Sequence, residues 1–123
     1  MRIARADGIV FRVQFVHSAH DPKHPIAGAP GGLRQIVDDL AVSLRRRVTL
    51  CEVSVEVPET VQAEDGSVGV QLTVVPLGYG YSVCHYFDQF VKAEGRKRSF
   101  ERAAKAARLD AGTKNDLALG LCL

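Results

Sequence analysis

Cysteine is sparse and scattered in this chain: Cys51, Cys84 and Cys122 are odd in number, widely spaced and free of any CxxC pair. That distribution excludes a disulfide framework and a thiolate zinc site, so all three read as reduced thiols. No apolar run approaches the roughly 18 residues that a membrane span needs. The N-terminal MRIARADGIVFRVQF alternates polar with apolar residues where a signal peptide would carry a continuous apolar stretch. The expected location is therefore the cytoplasm, with no membrane partner. The elements GxSxG, HExxH, GxxxxGK[ST] and GxGxxG are all absent, and Gly28, Gly31 and Gly32 have neither fingerprint spacing nor a companion lysine. No enzyme class gains support from motifs, and no cofactor is expected. There is no internal repeat and no linker long enough to divide the chain.

What is present suits one folded domain spanning residues 1–123, since hydrophobic residues at 46% and charged residues at 24% are ordinary globular values. The net charge of +2 hides a segregation along the chain. Residues 1–47 sum to +4, residues 48–90 hold six acids and no Lys or Arg, residues 91–108 sum to +5, and the remainder contributes −1. Such an acidic middle between basic flanks has two readings: the segments complement one another within the chain, or a basic face awaits an anionic partner.

Ile9, Phe11, Val13 and Phe15 alternate with polar residues and predict a first strand. Residues 17–32, HSAHDPKHPIAGAPGG, carry three prolines and three glycines and predict a long loop. Leu33, Ile36, Val37, Leu40 and Leu44 recur at helical spacing, so a helix is expected to about Arg47, with Arg45, Arg46 and Arg47 at its cation-favouring end. Cys51, Val53, Val55 and Val57 predict a second strand stopped by Pro58. Val68, Val70, Leu72 and Val74 predict a third, ending before Pro76 and paired with the second through the Glu-Asp-Gly-Ser turn. Tyr79 to Cys84 form a fourth, a loop runs through Asp88 and Gly95, and a helix capped near Ser99 places Phe100, Ala103, Ala104 and Ala107 on one face. The tail 110–123 is weakly patterned. The expected fold class is α+β, of order β-α-β-β-β-α, a largely antiparallel sheet with helices on one face.

Three groups could carry chemistry. His17, His20 and His24, with Asp21, have metal-ligand types, although Pro22 and Pro25 hold the loop extended and no closed-site signature is met. Cys84, His85 and Asp88 have the types of nucleophile, base and orienter, but adjacent residues on an extended segment point to opposite faces. The best candidate is the basic helix. Arg98, Arg102 and Lys105 lie at i, i+4, i+7, Lys97 and Arg108 widen that surface, and Arg45 and Arg46 are a second basic cluster. Such a surface suits DNA or RNA phosphates, with Tyr79, Tyr81, Tyr86, Phe87 and Phe90 as candidate stacking platforms. Equally, Glu101 can pair with Lys105 on a merely solvated face.

The segment Cys84-His85-x-x-Asp88-Gln89-Phe90-x-Lys92-x-x-Gly95-Arg96-Lys97, followed by Arg102-Ala103, resembles the C-terminal end of small uncharacterised proteins encoded by phages and prophages. It covers about a fifth of the chain, departing at Tyr86, where proline is common, and at Arg98 to Glu101, where the helix is usually more apolar. The resemblance implies a mobile-element origin and an accessory role, with no activity or site to carry over. The leading expectation is thus a non-enzymatic accessory protein binding a host protein or complex, for example as an inhibitor of a host defence system. The alternatives are a nucleic-acid-binding module using the last helix, and a metal-dependent or cysteine enzyme. Oligomeric state is not legible in the sequence.

Overall fold

The computed structural model describes residues 1–18, 32–84 and 91–123. Its elements are β1 Arg2–Ala4, β2 Val10–His17, α1 Leu33–Leu44, β3 Val48–Gln62, β4 Val68–Val83, α2 Lys92–Ala106 and α3 Ala111–Gly120. The four strands form one antiparallel sheet in the order β1-β2-β3-β4. The protein is α+β, as the element pattern predicts, but its strands are divided differently.

The predicted third and fourth strands are one strand, β4, and the second runs on to Gln62, because neither proline interrupts pairing. β2 begins at Val10 opposite Glu56, so Pro58, farther along β3, lies where that strand has a neighbour on one side only. Pro76 stands on the edge strand beside a register shift, with Val53 opposite Gly78 and Ser54 opposite Pro76, leaving Leu77 as the extra residue. Sheet edges and bulges are the places where a strand tolerates a residue without a donor. The short β1 pairs with β2 through Arg2 opposite Arg12 and was not expected.

The helices occupy both faces, contrary to the one-face arrangement expected. Phe11, Val13, Cys51 and Val53 point to one side, where Phe100, Ala103 and Ala104 of α2 and Leu117 of α3 complete the core. Their alternating neighbours Val48 and Leu50 point to the other, where they meet Val37 and Ala41 of α1. Period-2 alternation fails at Val48-Thr49-Leu50-Cys51 because all four are buried. A strand covered on both sides loses its polar face.

Helix boundaries also shift. α1 stops at Leu44 because Arg45 adopts a left-handed conformation (φ 55°) and closes the helix. α2 begins at Lys92, so Gly95 belongs to its first turns rather than to a loop, and lies against Thr49. The tail is a helix too: Asp110 caps α3 by accepting from the Thr113 amide (3.1 Å) and hydroxyl (2.6 Å), and Leu117 is fully buried. Among the described residues, no helix is long and apolar enough to cross a membrane.

Candidate functional site

Two surfaces stand out, one basic and one apolar. The basic one is the outward arc of α2. This helix buries Gly95, Ser99, Phe100, Ala103 and Ala104, and it can sit directly on the β4 backbone because Gly78 and Gly80 have no side chains. A Cβ on Gly78 would lie 2.5 Å from the Ala107 amide nitrogen, and one on Gly80 2.7 Å from the Arg102 carbonyl carbon. With its small residues turned inward, α2 presents Lys97, Arg98, Glu101, Arg102 and Lys105 to solvent, and Arg108 is exposed just beyond its end. Arg102 reaches the sheet edge and donates to the Tyr81 carbonyl at 2.6 Å. Lys97, Arg98 and Lys105 make no ion pair among the described residues, and the expected Glu101 to Lys105 bridge is not formed.

The second basic cluster does not join this ridge. Arg45 is exposed and Arg46 half-buried at the end of α1, which lies across the sheet from α2. Tyr79 and Tyr81 pair with Glu52 and Leu50 and so project from the α1 face of the sheet, but at its edge they line, with Gly80, a cleft of about 290 Å³ beside Arg102 of the ridge. Tyr86, Phe87 and Phe90 lie outside the described residues.

The histidine and cysteine candidates separate similarly. His17 is the last residue of β2, with Nδ1 2.8 Å from the Thr49 hydroxyl. Burial, and then the fields of Lys92, Arg96, Arg47 and Arg34, hold its pKa below the usual value, so it is neutral near pH 7. Arg34 also donates to the His17 carbonyl at 2.6 Å, and Arg96 lines a cleft of about 470 Å³ beside Gln14, Phe15 and His17. This convergence of cations from separate elements has no linear signature. His20, Asp21 and His24 lie outside the described residues, and among those described no group of three or more His, Cys, Asp or Glu could hold a metal. Cys84 follows β4, half-buried, whereas His85 and Asp88 lie outside the described residues. Cys51 is buried, and desolvation, reinforced by Glu52, pushes its thiol up to about 12, which makes it inert as a nucleophile.

The apolar surface is an arm. Beyond Glu56, β3 and β4 continue as a two-stranded ribbon with no further strand beside it among the described residues. Val57–Gln62 alone extend it by about 20 Å at the usual strand rise. The ribbon closes at Gly66 (φ 86°), where Asp65 accepts from the Ser67 amide (2.9 Å) and hydroxyl (2.6 Å); those bonds hold its carboxyl below the usual range. At the root, the side chain of Glu56 is buried between Arg2 (2.7 and 3.0 Å) and Arg12 (2.7 Å), which draw its carboxyl down to about 2.

Along the arm, none of the described residues covers the aliphatic side chains. Val68 is 68% exposed, Val70 74% and Leu72 51%, with Val74 continuing the row; Val57, Val61 and Val75 are exposed on the opposite face. Sequence reasoning missed this surface because alternation of valine with polar residues reads as core. The signal that was there is length, since β3 and β4 each run well past the point opposite which β2 begins. Neither a protein family, a curated protein nor a solved structure matches the chain.

Proposed function

We propose that the chain is a non-enzymatic protein-binding factor that engages its partner through the β3–β4 arm. The supporting observation is the row Val68, Val70, Leu72 and Val74 on a ribbon that leaves the sheet. Folded proteins rarely leave a contiguous apolar patch uncovered unless it meets another molecule. β4 is also an edge strand, and a long edge of this composition is a template for further pairing. This reading agrees with the accessory role implied by the resemblance to phage-encoded proteins, for which a host protein or complex is the corresponding partner. The test is affinity recovery with nuclease-treated host lysate, using the wild type beside a variant carrying Val70→Thr and Leu72→Thr. Partners that survive nuclease and disappear with the variant support the reading. Partners retained by the variant reject it.

Nucleic-acid binding through α2 is the second reading, favoured by the exposed Lys97, Arg98 and Lys105 without ion pairs among the described residues. Binding to a DNA or RNA duplex would then be sequence-independent and fall steeply with salt, with a slope reduced by about 1 for each cation removed. Salt-independent or absent binding would eliminate it.

A further inference from the structure

The hairpin fixes which way the β4 backbone points. Ala63 donates its amide to the Ser67 carbonyl (2.9 Å) across the turn, and in an antiparallel pair the residues that exchange bonds recur at every second position. Gly69, Gln71, Thr73 and Val75 therefore bond to β3, while Val68, Val70, Leu72 and Val74 turn their N–H and C=O groups away from it. The prolines fit that phase. Pro58, opposite Leu72, and Pro76, opposite Ser54, both stand at outward positions, where the β3–β4 ladder loses no donor. Nearer the body the edge is closed, since Pro76 has no N–H, Leu77 bulges and Arg102 takes the Tyr81 carbonyl at 2.6 Å. Along the arm it is open: among the described residues, no strand lies beside β4 on that side. Between Val68 and Val83 the strand carries no Asp, Glu, Lys, Arg or His, so the charges that ordinarily guard an edge are missing.

We infer that a second copy of this chain pairs with this edge, the two β4 strands running antiparallel about a two-fold axis at Gln71 and joining the two four-stranded sheets into one. This rests on the protein-binding reading of the arm and names the occupant of its edge. The strand is self-complementary in that register. Val68 of each copy stands opposite Val74 of the other and Val70 opposite Leu72, so outward positions meet outward positions, exchange both hydrogen bonds and set aliphatic beside aliphatic. No like charges oppose each other along β4. At the ends charge favours the pairing. The same register brings the Glu64–Asp65 turn of each copy level with Leu77 and Gly78 of the other, and Gly78 lies against Ala107, at the end of α2 where Lys105 and Arg108 are exposed. None of the four ion pairs among the described residues links the arm to α2 within one copy. Strand addition draws affinity from main-chain hydrogen bonds as well as from covered area. The contact is isologous and closes at two copies. It leaves the rows Val68, Val70, Leu72 and Val74 side by side on one face, open to a further molecule.

The experiment is sedimentation velocity across a concentration series on the wild type and three variants. Val70→Pro removes an outward N–H and no bond to β3; Gln71→Lys and Gln71→Glu place like charges at the two-fold axis. Gln71 is exposed, and circular dichroism verifies that each variant is folded. The wild type should pass from monomer to dimer and stop there. Val70→Pro should weaken dimerisation by about tenfold or more, since each copy loses one intermolecular bond. Each Gln71 variant alone should also stay monomeric where the wild type is dimeric, and an equimolar mixture of the two should dimerise again, because opposite charges then meet at the axis. A wild type that is monomeric at every concentration or grows beyond a dimer, a folded Val70→Pro protein that dimerises as well as the wild type, or a mixture no more dimeric than its components would each overturn the inference. Should Val70→Pro fail to fold, the Gln71 pair still decides. Failure here is separable from failure of the arm reading. A monomeric wild type whose lysate partners are lost with Val70→Thr and Leu72→Thr binds another protein through the arm and not a second copy; if recovery is unchanged, the arm reading falls as well.

Discussion

Replacing Val68, Val70 and Leu72 together by threonine separates a binding surface from a misjudged core. Burying a valine or leucine side chain completely is worth about 1.5–3 kcal/mol. These three are 68%, 74% and 51% exposed, so Leu72 draws on about half of that, Val68 on about a third and Val70 on about a quarter. Threonine keeps the β-branch and therefore the strand preference. Threonine also keeps part of each side chain's apolar surface, so the expected loss is about 0.5 kcal/mol per site and about 1.5 kcal/mol for the three together. For a chain of this size, the melting temperature should fall by roughly 5–9 °C, given about 3–6 °C per kcal/mol. The fully buried Phe100 provides the contrast, since Phe100→Ala leaves a cavity between α2 and the sheet and should cost about 3–5 kcal/mol. Thermal and urea unfolding followed by circular dichroism measure both variants under one condition. A triple variant as destabilised as Phe100→Ala would show that the arm's aliphatics are core side chains, and the proposal of a docking arm would fail with them.

Further outcomes follow from individual contacts. Gly80→Ala places a methyl group against the backbone of α2, which cannot rotate aside, and should cost about 3 kcal/mol, at the upper end of overpacking; Gly69→Ala, with nothing within 4 Å, should leave the melting point almost unchanged. Glu56 has a folded pKa of about 2 against an ordinary 4.5, so its contribution to stability is complete above about pH 4.5 and lost as pH falls toward 2. Glu56→Gln should destabilise the protein at neutral pH and flatten that acid limb in melts recorded across the range. Cys51 behaves in the opposite sense: its thiol is raised from 9.0 to about 12, so the stability linked to it is present below pH 9 and disappears as pH rises toward 12. At mildly alkaline pH a thiol reagent should label exposed Cys122 rapidly and buried Cys51 only on unfolding; immediate labelling of Cys51 would contradict its place in the core.

Local pattern was enough to read several elements. Alternation about Phe11 and Val13, the 3.6-residue spacing from Leu33 to Leu44, the Glu-Asp-Gly-Ser turn and the inward set Phe100, Ala103 and Ala104 all depend on residues near one another in the chain. So does the exposure of Lys97, Arg98 and Lys105, because burying one arc of a helix fixes the opposite one. Pattern misled where tertiary surroundings change what a residue type means. Pro58 and Pro76 look like strand terminators until the sheet supplies an open side and a bulge, and an alternating valine run looks like core until its side chains are found exposed. Asp110 and Thr113 were a legible cap for α3, but a ten-residue helix with little amphipathic pattern stands out only once Leu117 is seen in the core.

The α+β class, the strand about Phe11 and Val13, the helix from Leu33 to Leu44 and the separation of acidic from basic segments were therefore determined by the sequence itself, because each depends on residue type and short spacing. Only the tertiary structure decided which face of the sheet each helix covers, that Gly78 and Gly80 let α2 rest on the backbone of β4, and that Lys92 and Arg96 gather with Arg34 about His17. It also decided that the acidic arm stands clear of the basic helix. Charges along a chain state what could attract; whether they meet depends on distance, and here the ribbon geometry holds them apart within one copy.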